Sequence, residues 1–131
     1  MVRKSTPKMP TERQLRVSEE IRHVLSSALL TIELYDDTLN PAMVMITEVK
    51  VSPDFSWATI YVHSIGQTDE NQMVEALNRH KSVFRKIVGD KIRLRITPDI
   101  RFRLDNSFEE AAKIEALFDN PVVKADIAKE D

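Results

Sequence analysis

The chain has 131 residues, 42% of them hydrophobic and 31% charged, which is the composition of one soluble globular domain rather than of a disordered chain. It contains no cysteine, which excludes a disulfide framework and any cysteine-based zinc or nucleophilic site. No apolar stretch reaches the length of a membrane-spanning helix, and no signal-peptide core follows the basic N-terminus. We therefore expect a single cytoplasmic domain that has no membrane partner.

Charge is unevenly distributed along the chain. The whole sequence carries a net charge of -2, but residues 79–103 contain nine basic and two acidic residues, a local net charge of +7. Residues 105–131 contain three basic and eight acidic residues, a local net charge of -5. Such segregation creates a local positive field that the total conceals, and it is typical of proteins that bind polyanions.

The first half of the chain predicts a helix followed by a β-hairpin. Thr11 and Gln14 have the spacing of a capping box, which favours a helix start at this point. Apolar residues then recur at helical spacing: Val17, Ile21, Val24, Leu25, Ala28, Leu29 and Ile32. Two segments with strand-like alternation, 43–51 and 57–63, flank a turn signal at Ser52-Pro53-Asp54. This alternation directs one set of side chains to the core: Val49, Val51, Ala58, Ile60 and Val62.

The second half predicts two more helices with a strand between them. Asp69 and Gln72 have cap spacing, and Gly89 is the expected residue just after the end of that helix. Its apolar stripe comprises Met73, Leu77, His80, Phe84 and Ile87. Residues 92–104 are apolar at even positions and mostly basic at odd ones, which predicts a strand interrupted or bounded at Thr97-Pro98. A second capping box at 107–110 predicts a helix to Phe118, so the pattern alone has the order α-β-β-α-β-α.

The candidate site is the basic stripe that this alternation would create. If the apolar residues of a strand over 92–104 face the core, the basic residues between them must share the outer face. The candidate RNA-binding residues are Arg79, Lys81, Arg85 and Lys86 on the preceding helix, and Lys91, Arg93, Arg95, Arg101 and Arg103 on the strand. Phosphate groups favour such a surface through counterion release. The alternatives are a solvated surface paired with the protein's own acids, a DNA site, or a site for an acidic protein.

Other chemistry-bearing residues suggest no catalytic site. His23, His63 and His80 lack the spacing of metal ligands, and His80 is either a hydrogen-bonded core residue or a residue that reaches RNA. The neighbouring carboxylates, such as Asp36-Asp37, are explained by helix capping and solvation. Trp57 and Tyr61 either stack on bases or pack against neighbouring side chains. We therefore expect neither an enzyme nor a bound cofactor or metal.

Several linked motifs resemble the ribosome-binding factor A family in sequence and order. They lie at 13–17, 46–56, 58–62, 88–102 and 105–115, within a match that extends from about Arg13 to Phe118. The resemblance implies an α+β fold of the type II KH-like class, α-β-β-α-α-β, with an additional C-terminal helix. It also implies a cofactor-free assembly factor that binds the immature small ribosomal subunit and its rRNA during late maturation, with roles in rRNA processing and cold adaptation.

One departure from the family pattern matters for the middle helix. The family tends to have Ala-x-Gly at a kink in the middle helix, where this chain has His80-Lys81-Ser82. We still expect a bend near Ser82, and a straight helix over 71–88 would contradict this expectation. Ser82 is added to the candidate RNA-binding residues.

The expected organisation is a flexible basic N-terminus at 1–10, a monomeric KH-like RNA-binding domain at 11–119 and a mobile acidic tail at 120–131. The alternative functions are a protein-interaction module that recruits an assembly partner without RNA contact, and a small hydrolase with a pocket of converging titratable groups.

Overall fold

A computed structural model describes residues 9–66 and 69–107 of the chain. Most of the expected N-terminal segment, the predicted C-terminal helix and the acidic tail lie outside these described residues. The elements are α1 (Glu12–Thr31), a short 3₁₀ helix (Pro41–Met43), β1 (Val44–Val51), β2 (Trp57–Ser64), α2 (Glu70–Arg79), α3 (Lys81–Lys91) and β3 (Asp99–Leu104). This is an α+β fold in the order α-β-β-α-α-β. None of the described helices is long and apolar enough to cross a membrane.

The start of α1 is held by the predicted capping box. The Gln14 N–H donates to Thr11 Oγ1 at 3.1 Å, and the Thr11 N–H donates to Gln14 Oε1 at 2.9 Å. Gln14 Nε2 also donates to the Val51 carbonyl at 3.4 Å, which ties the first turn of α1 to the end of β1. The inner stripe of the helix is buried at Val17, Ile21, Leu25 and Leu29. The capping box therefore located the start of α1 correctly, and the hydrophobic periodicity located its packed face.

The three strands form one sheet in the order β1-β2-β3. β1 and β2 are the predicted antiparallel hairpin, whereas β3 pairs with β2 in parallel, with Thr59 opposite Arg101. A bulge between Ile46 and Glu48 shifts the alternation of β1 by one residue. As a result Val44 and Ile46 face the core on one side of the bulge, and Val49 and Val51 do so on the other.

The predicted strand over 92–104 is wrong in its first half. The helix α3 continues through Gly89 to Lys91, residues 92–98 are irregular, and the strand begins only at Asp99. Gly89 is therefore not the residue after the helix. A Cβ at Gly89 would lie 3.0 Å from Thr97 Oγ1, so the missing side chain lets the irregular segment run back against α3. Ile96, an even residue expected in the core, is 66% exposed.

All three helices pack on one face of the sheet. α1 lies mainly against β1, while α2 and α3 lie against β3. At the centre the Phe84 and Phe102 rings meet edge to face, with centroids 5.2 Å apart. The Asn78 side chain forms two hydrogen bonds with the backbone of β3 at the edge of the sheet. Its Nδ2 donates to the Phe102 carbonyl at 3.0 Å, and its Oδ1 accepts from the Phe102 N–H at 2.8 Å. No described helix covers the opposite face of the sheet.

Candidate nucleic-acid interface

The boundary between α2 and α3 is a sharp break in the helix path. α2 ends at Arg79, His80 has φ -102° and ψ 16°, and α3 starts at Lys81. The predicted bend near Ser82 is therefore confirmed, although the break lies at His80. No described side chain caps the first turn of α3, although the Val83 N–H donates to the His80 carbonyl at 3.0 Å. The N–H groups at this terminus that a ligand could reach are therefore those of Lys81 and Ser82. A phosphate oxygen is a chemically suitable acceptor for such groups.

Asp36 lies in the connection that follows α1, and its carboxylate contacts the residues at this break. Its carboxylate accepts from Thr38 Oγ1 at 2.6 Å and from the Thr38 N–H at 3.0 Å. Arg79 Nη2 lies 3.2 Å and His80 Nε2 2.9 Å from the same carboxylate oxygen, Oδ2. Since an ionised carboxylate only accepts, Nε2 must be the protonated nitrogen of His80. Of the two roles considered for His80, the structure supports the hydrogen-bonded structural one.

This environment changes the acidity of Asp36. The hydrogen bond from the Thr38 hydroxyl and the one from His80 together hold the pKa of the Asp36 carboxyl well below its usual range. The side chain is 12% exposed, so it sits at the edge of the core rather than in free solution. The folded state therefore favours the ionised form of Asp36.

The acidity of Asp36 predicts a specific loss of stability in acid. Because its pKa is lower in the folded than in the unfolded chain, where the ordinary value is 3.8, the stabilisation is fully present above about pH 5. It is lost as the pH falls below about 4 toward the folded pKa. We expect Asp36→Asn to be less stable than the wild type at pH 7, and the difference to shrink toward pH 3.

Urea unfolding of both proteins across this pH range measures the effect. Asp37→Asn is the matched control, because the neighbouring Asp37 is exposed and accepts no hydrogen bond from the described residues. A difference between wild type and Asp36→Asn that does not change with pH would contradict the assignment.

The predicted basic residues fall into several local environments. Lys81, Ser82 and Arg85 line a pocket of about 330 Å³, together with Trp57, Asp99 and Ile100. Within it, Arg85 Nε lies 3.4 Å from Asp99 Oδ1, and Arg85 Nη2 donates to the Thr97 carbonyl at 3.0 Å. Arg79 forms an ion pair with Asp36, so its charge is partly neutralised by another residue of the same protein.

The remaining predicted residues do not lie on one strand. Lys86 and Lys91 belong to α3, where Lys86 Nζ is 3.4 Å from Asp90 Oδ2. Arg93 and Arg95 are exposed in the irregular segment, and only Arg101 and Arg103 share a strand and its outer face. The prediction of a single stripe from Lys91 to Arg103 is thus corrected: its first half is a helix end and a returning segment. The returning segment runs back along the C-terminal part of α3, where Thr97 lies against Gly89 and its carbonyl accepts from Arg85.

On the outer face of the sheet, two aromatic rings lie next to basic side chains. The Arg101 guanidinium lies 5.1 Å from the ring centroid of Trp57, and Lys50 Nζ lies 5.6 Å from that of Tyr61. Lys50 was missed as a candidate. The signal for it existed, because the alternation that turns Val49 and Val51 inward must turn Lys50 outward.

The described residues contain no candidate metal centre. No group of three or more His, Asp or Glu residues among them could hold a metal ion. A pocket of about 640 Å³ lies between α1 and α3 and is predominantly apolar. Its lining comprises His23, Val24, Ser27, Ala28, Thr31, Ile32, Ile87 and Lys91. His23 and Lys91 are the two titratable residues of that lining, and they form no hydrogen bond with each other.

Comparison with known proteins identifies the family. The model of the family "Ribosome-binding factor A" matches residues 13–118. A ribosome-binding factor A from Methylorubrum extorquens (strain PA1) is 42% identical over 127 residues, covering 97% of this chain and 88% of its own. The solution structure of a Thermotoga maritima protein described as a ribosome binding factor A is 34% identical, with a TM-score of 0.60, covering 74% of this chain and 91% of that one.

A second similar structure shares the fold. It is the Thermus thermophilus ribosome binding factor A, as a homology model fitted into the cryo-EM map of a 30S complex. It is 20% identical, with a TM-score of 0.54, and the match covers 68% of this chain and 91% of that one. Together with the family match over 13–118, these likenesses show that this chain belongs to the ribosome-binding factor A family.

Proposed function

We propose that this protein is a cytoplasmic, non-catalytic assembly factor that binds the small ribosomal subunit and its rRNA during late maturation. Family membership supports this role, as does the Thermus relative fitted into a 30S complex. The domain proposed to act is 11–119. Binding to one arrangement of the RNA would shift the population toward that arrangement, so no bond chemistry is required.

The single observation that carries the proposal is the surface beside the α2–α3 break. There the N-terminus of α3, which no described side chain caps, carries the exposed Lys81 and Ser82 side chains. The irregular segment after the other end of α3, which returns at Thr97 against Gly89, carries the further exposed cations Arg93 and Arg95. Helix N–H groups and cations that have no internal partner are both suited to phosphate oxygens.

The ten proposed RNA-binding residues do not contribute equally. Arg79 and Arg85 already contact Asp36 and Asp99, so we expect each to add less to RNA affinity than a cation with no internal partner. Lys86 has only a long, exposed contact with Asp90, which is worth little. The full proposed set is Arg79, Lys81, Ser82, Arg85, Lys86, Lys91, Arg93, Arg95, Arg101 and Arg103.

The experiment is a double charge reversal, Lys81→Glu with Arg95→Glu. Neither side chain has a hydrogen-bond or ion-pair partner among the described residues, so the circular dichroism and unfolding midpoint should not change. We expect co-sedimentation with small subunits to fall by tenfold or more. The slope of log affinity against log salt should become shallower by about 0.7–0.9 for each phosphate group that the variant no longer binds.

A matched control reverses two cations on α1, Arg16→Glu with Arg22→Glu. Both are helix-surface residues, and the contact of Arg22 with Glu19 is exposed and worth little. This control should retain subunit binding. Undiminished binding by the Lys81 and Arg95 variant would reject the proposed surface.

A second candidate function is a protein-interaction module that recruits an assembly partner. The apolar groove between α1 and α3 favours it, because its size and lining suit an apolar side chain of a partner. Binding through this groove would depend weakly on salt and would not distinguish RNA-containing from RNA-free partners. The salt slope described above therefore separates the two candidates.

A further inference from the structure

The outer face of the sheet carries a second set of groups suited to nucleic acid. We call it the open sheet face and define it by Lys50, Trp57, Tyr61, Arg101 and Arg103. We propose that the open sheet face binds unpaired RNA bases by stacking, as an extension of the RNA contact made beside the α2–α3 break. This inference rests on the proposed function, because it supplies the same RNA with a second binding region.

The strand register places these residues together. Lys50 is opposite Thr59, which is opposite Arg101, so one row of side chains crosses all three strands. In the same way Tyr61 is opposite Arg103, and Trp57 is opposite Asp99. Because the core residues of β2 and β3 occupy the alternate positions, each residue of the open sheet face must point away from the helices.

The exposure of Trp57 requires an explanation. It is the chain's only tryptophan, and 39% of it remains accessible on a face that no described helix covers. The Arg101 guanidinium stands 5.1 Å from its ring centroid and is fixed there, because Arg101 Nε donates to Thr59 Oγ1 at 2.9 Å. Its two Nη groups have no hydrogen-bond partner among the described residues, so they can donate to a phosphate while the aromatic surface receives a base.

The charges of this face favour a polyanion that also has planar groups. Lys50, Arg101 and Arg103 share this side of the sheet with the acids Glu48, opposite Tyr61, and Asp99, which is already paired with Arg85. An acidic peptide would use the cations but not the two aromatic rings. Single-stranded nucleic acid uses both, since phosphates follow the cations and every base has a π-face.

The open sheet face is continuous with the surface at the break. Trp57 lines the same pocket as Lys81, Ser82 and Arg85, so the pocket joins the first turn of α3 to the start of β2 and β3. One RNA strand can therefore pass from the N-terminus of α3 across the edge of β3 and onto the sheet.

Trp57 also provides the readout of the test. In the full chain, titration with a single-stranded oligouridine should quench the tryptophan fluorescence, because stacking brings a base against the only indole. Trp57→Leu and Tyr61→Leu should each weaken oligouridine binding, measured by fluorescence anisotropy of a labelled oligonucleotide, by roughly tenfold. Trp57→Tyr restores a stacking surface and should recover most of the affinity, which a purely structural role for the indole would not produce.

Several outcomes would overturn the inference. One is unchanged oligouridine affinity in both leucine variants at an unchanged unfolding midpoint. Another is a Trp57 fluorescence that acrylamide cannot quench in the free protein, which would show that the face is covered by another part of the chain or a second copy. Binding of polyglutamate in preference to oligouridine would assign the face to a protein partner.

The two proposals fail in different ways. If the Lys81 and Arg95 variant keeps full subunit binding, the proposed function is wrong. If that variant loses subunit binding while Trp57→Leu and Tyr61→Leu bind oligouridine like the wild type, only the role of the open sheet face is wrong.

Discussion

Replacing Phe84 with alanine is expected to lower the free energy of unfolding by about 3–5 kcal/mol. The side chain is fully buried, and its ring meets that of Phe102 edge to face at 5.2 Å. This contact joins α3 to β3, so its removal leaves a cavity at the junction between a helix and the edge strand. Urea denaturation followed by circular dichroism measures the loss, which should appear as a lower midpoint at an unchanged slope.

The control for this substitution is Ile96→Ala. Ile96 is 66% exposed in the irregular segment before β3, so we expect its truncation to change the free energy of unfolding by no more than about 0.5 kcal/mol. If Phe84→Ala cost as little as the control, the Phe84–Phe102 contact would not be the centre of the core.

The second large effect is expected for Asn78→Ala, at about 2–4 kcal/mol. Asn78 both donates to the Phe102 carbonyl and accepts from the Phe102 N–H. Truncation removes both partners from backbone groups of a buried residue, and each unsatisfied buried group costs about 1–3 kcal/mol. Hydrogen exchange adds a local measurement, because the Phe102 amide should be protected in the wild type and exchange rapidly in the variant.

Asn71→Ala is the matched control on the same helix. Asn71 is exposed and makes no side-chain hydrogen bond with the described residues, so its truncation should leave the stability and the Phe102 amide nearly unchanged. A protected Phe102 amide in Asn78→Ala would mean that β3 does not depend on the Asn78 side chain.

Elements specified by neighbouring residues were predictable from the sequence. The capping box joins Thr11 to Gln14, three positions apart, and α1 begins where this spacing indicates. The hairpin follows from Ser52-Pro53-Asp54, where the Asp54 carboxylate accepts from the Ser56 N–H and hydroxyl. In both cases the groups that determine the geometry lie within a few residues, so a local pattern contains them.

Features determined by distant contacts were not predictable in the same way. The apolar and basic alternation from 92 onwards suits a strand, but the contact between Gly89 and Thr97 gives the segment a different path. The bulge near Thr47 left no clear signal, because one inserted residue resembles ordinary variation in a strand pattern.

The candidate site was predicted by residue type more accurately than by geometry. Charge segregation identified Arg79 and Arg85, but their internal partners, Asp36 and Asp99, come from other elements. The proximity of Lys81 to Trp57 likewise depends on how α3 packs beside the sheet. Local patterns thus indicate which side chains are exposed, whereas the tertiary fold decides which of them are neighbours.

The parallel pairing of β3 with β2 has a consequence for synthesis. The Thr59 and Arg101 partners are 42 residues apart, so the sheet is completed long after the hairpin has been made. At typical rates of translation, the stretch from Ser64 to Leu104 takes about 2–8 s to produce. During that interval Ile60 and Val62 lack the neighbours that β3 and α2 later provide, so their apolar side chains are exposed before the sheet is complete.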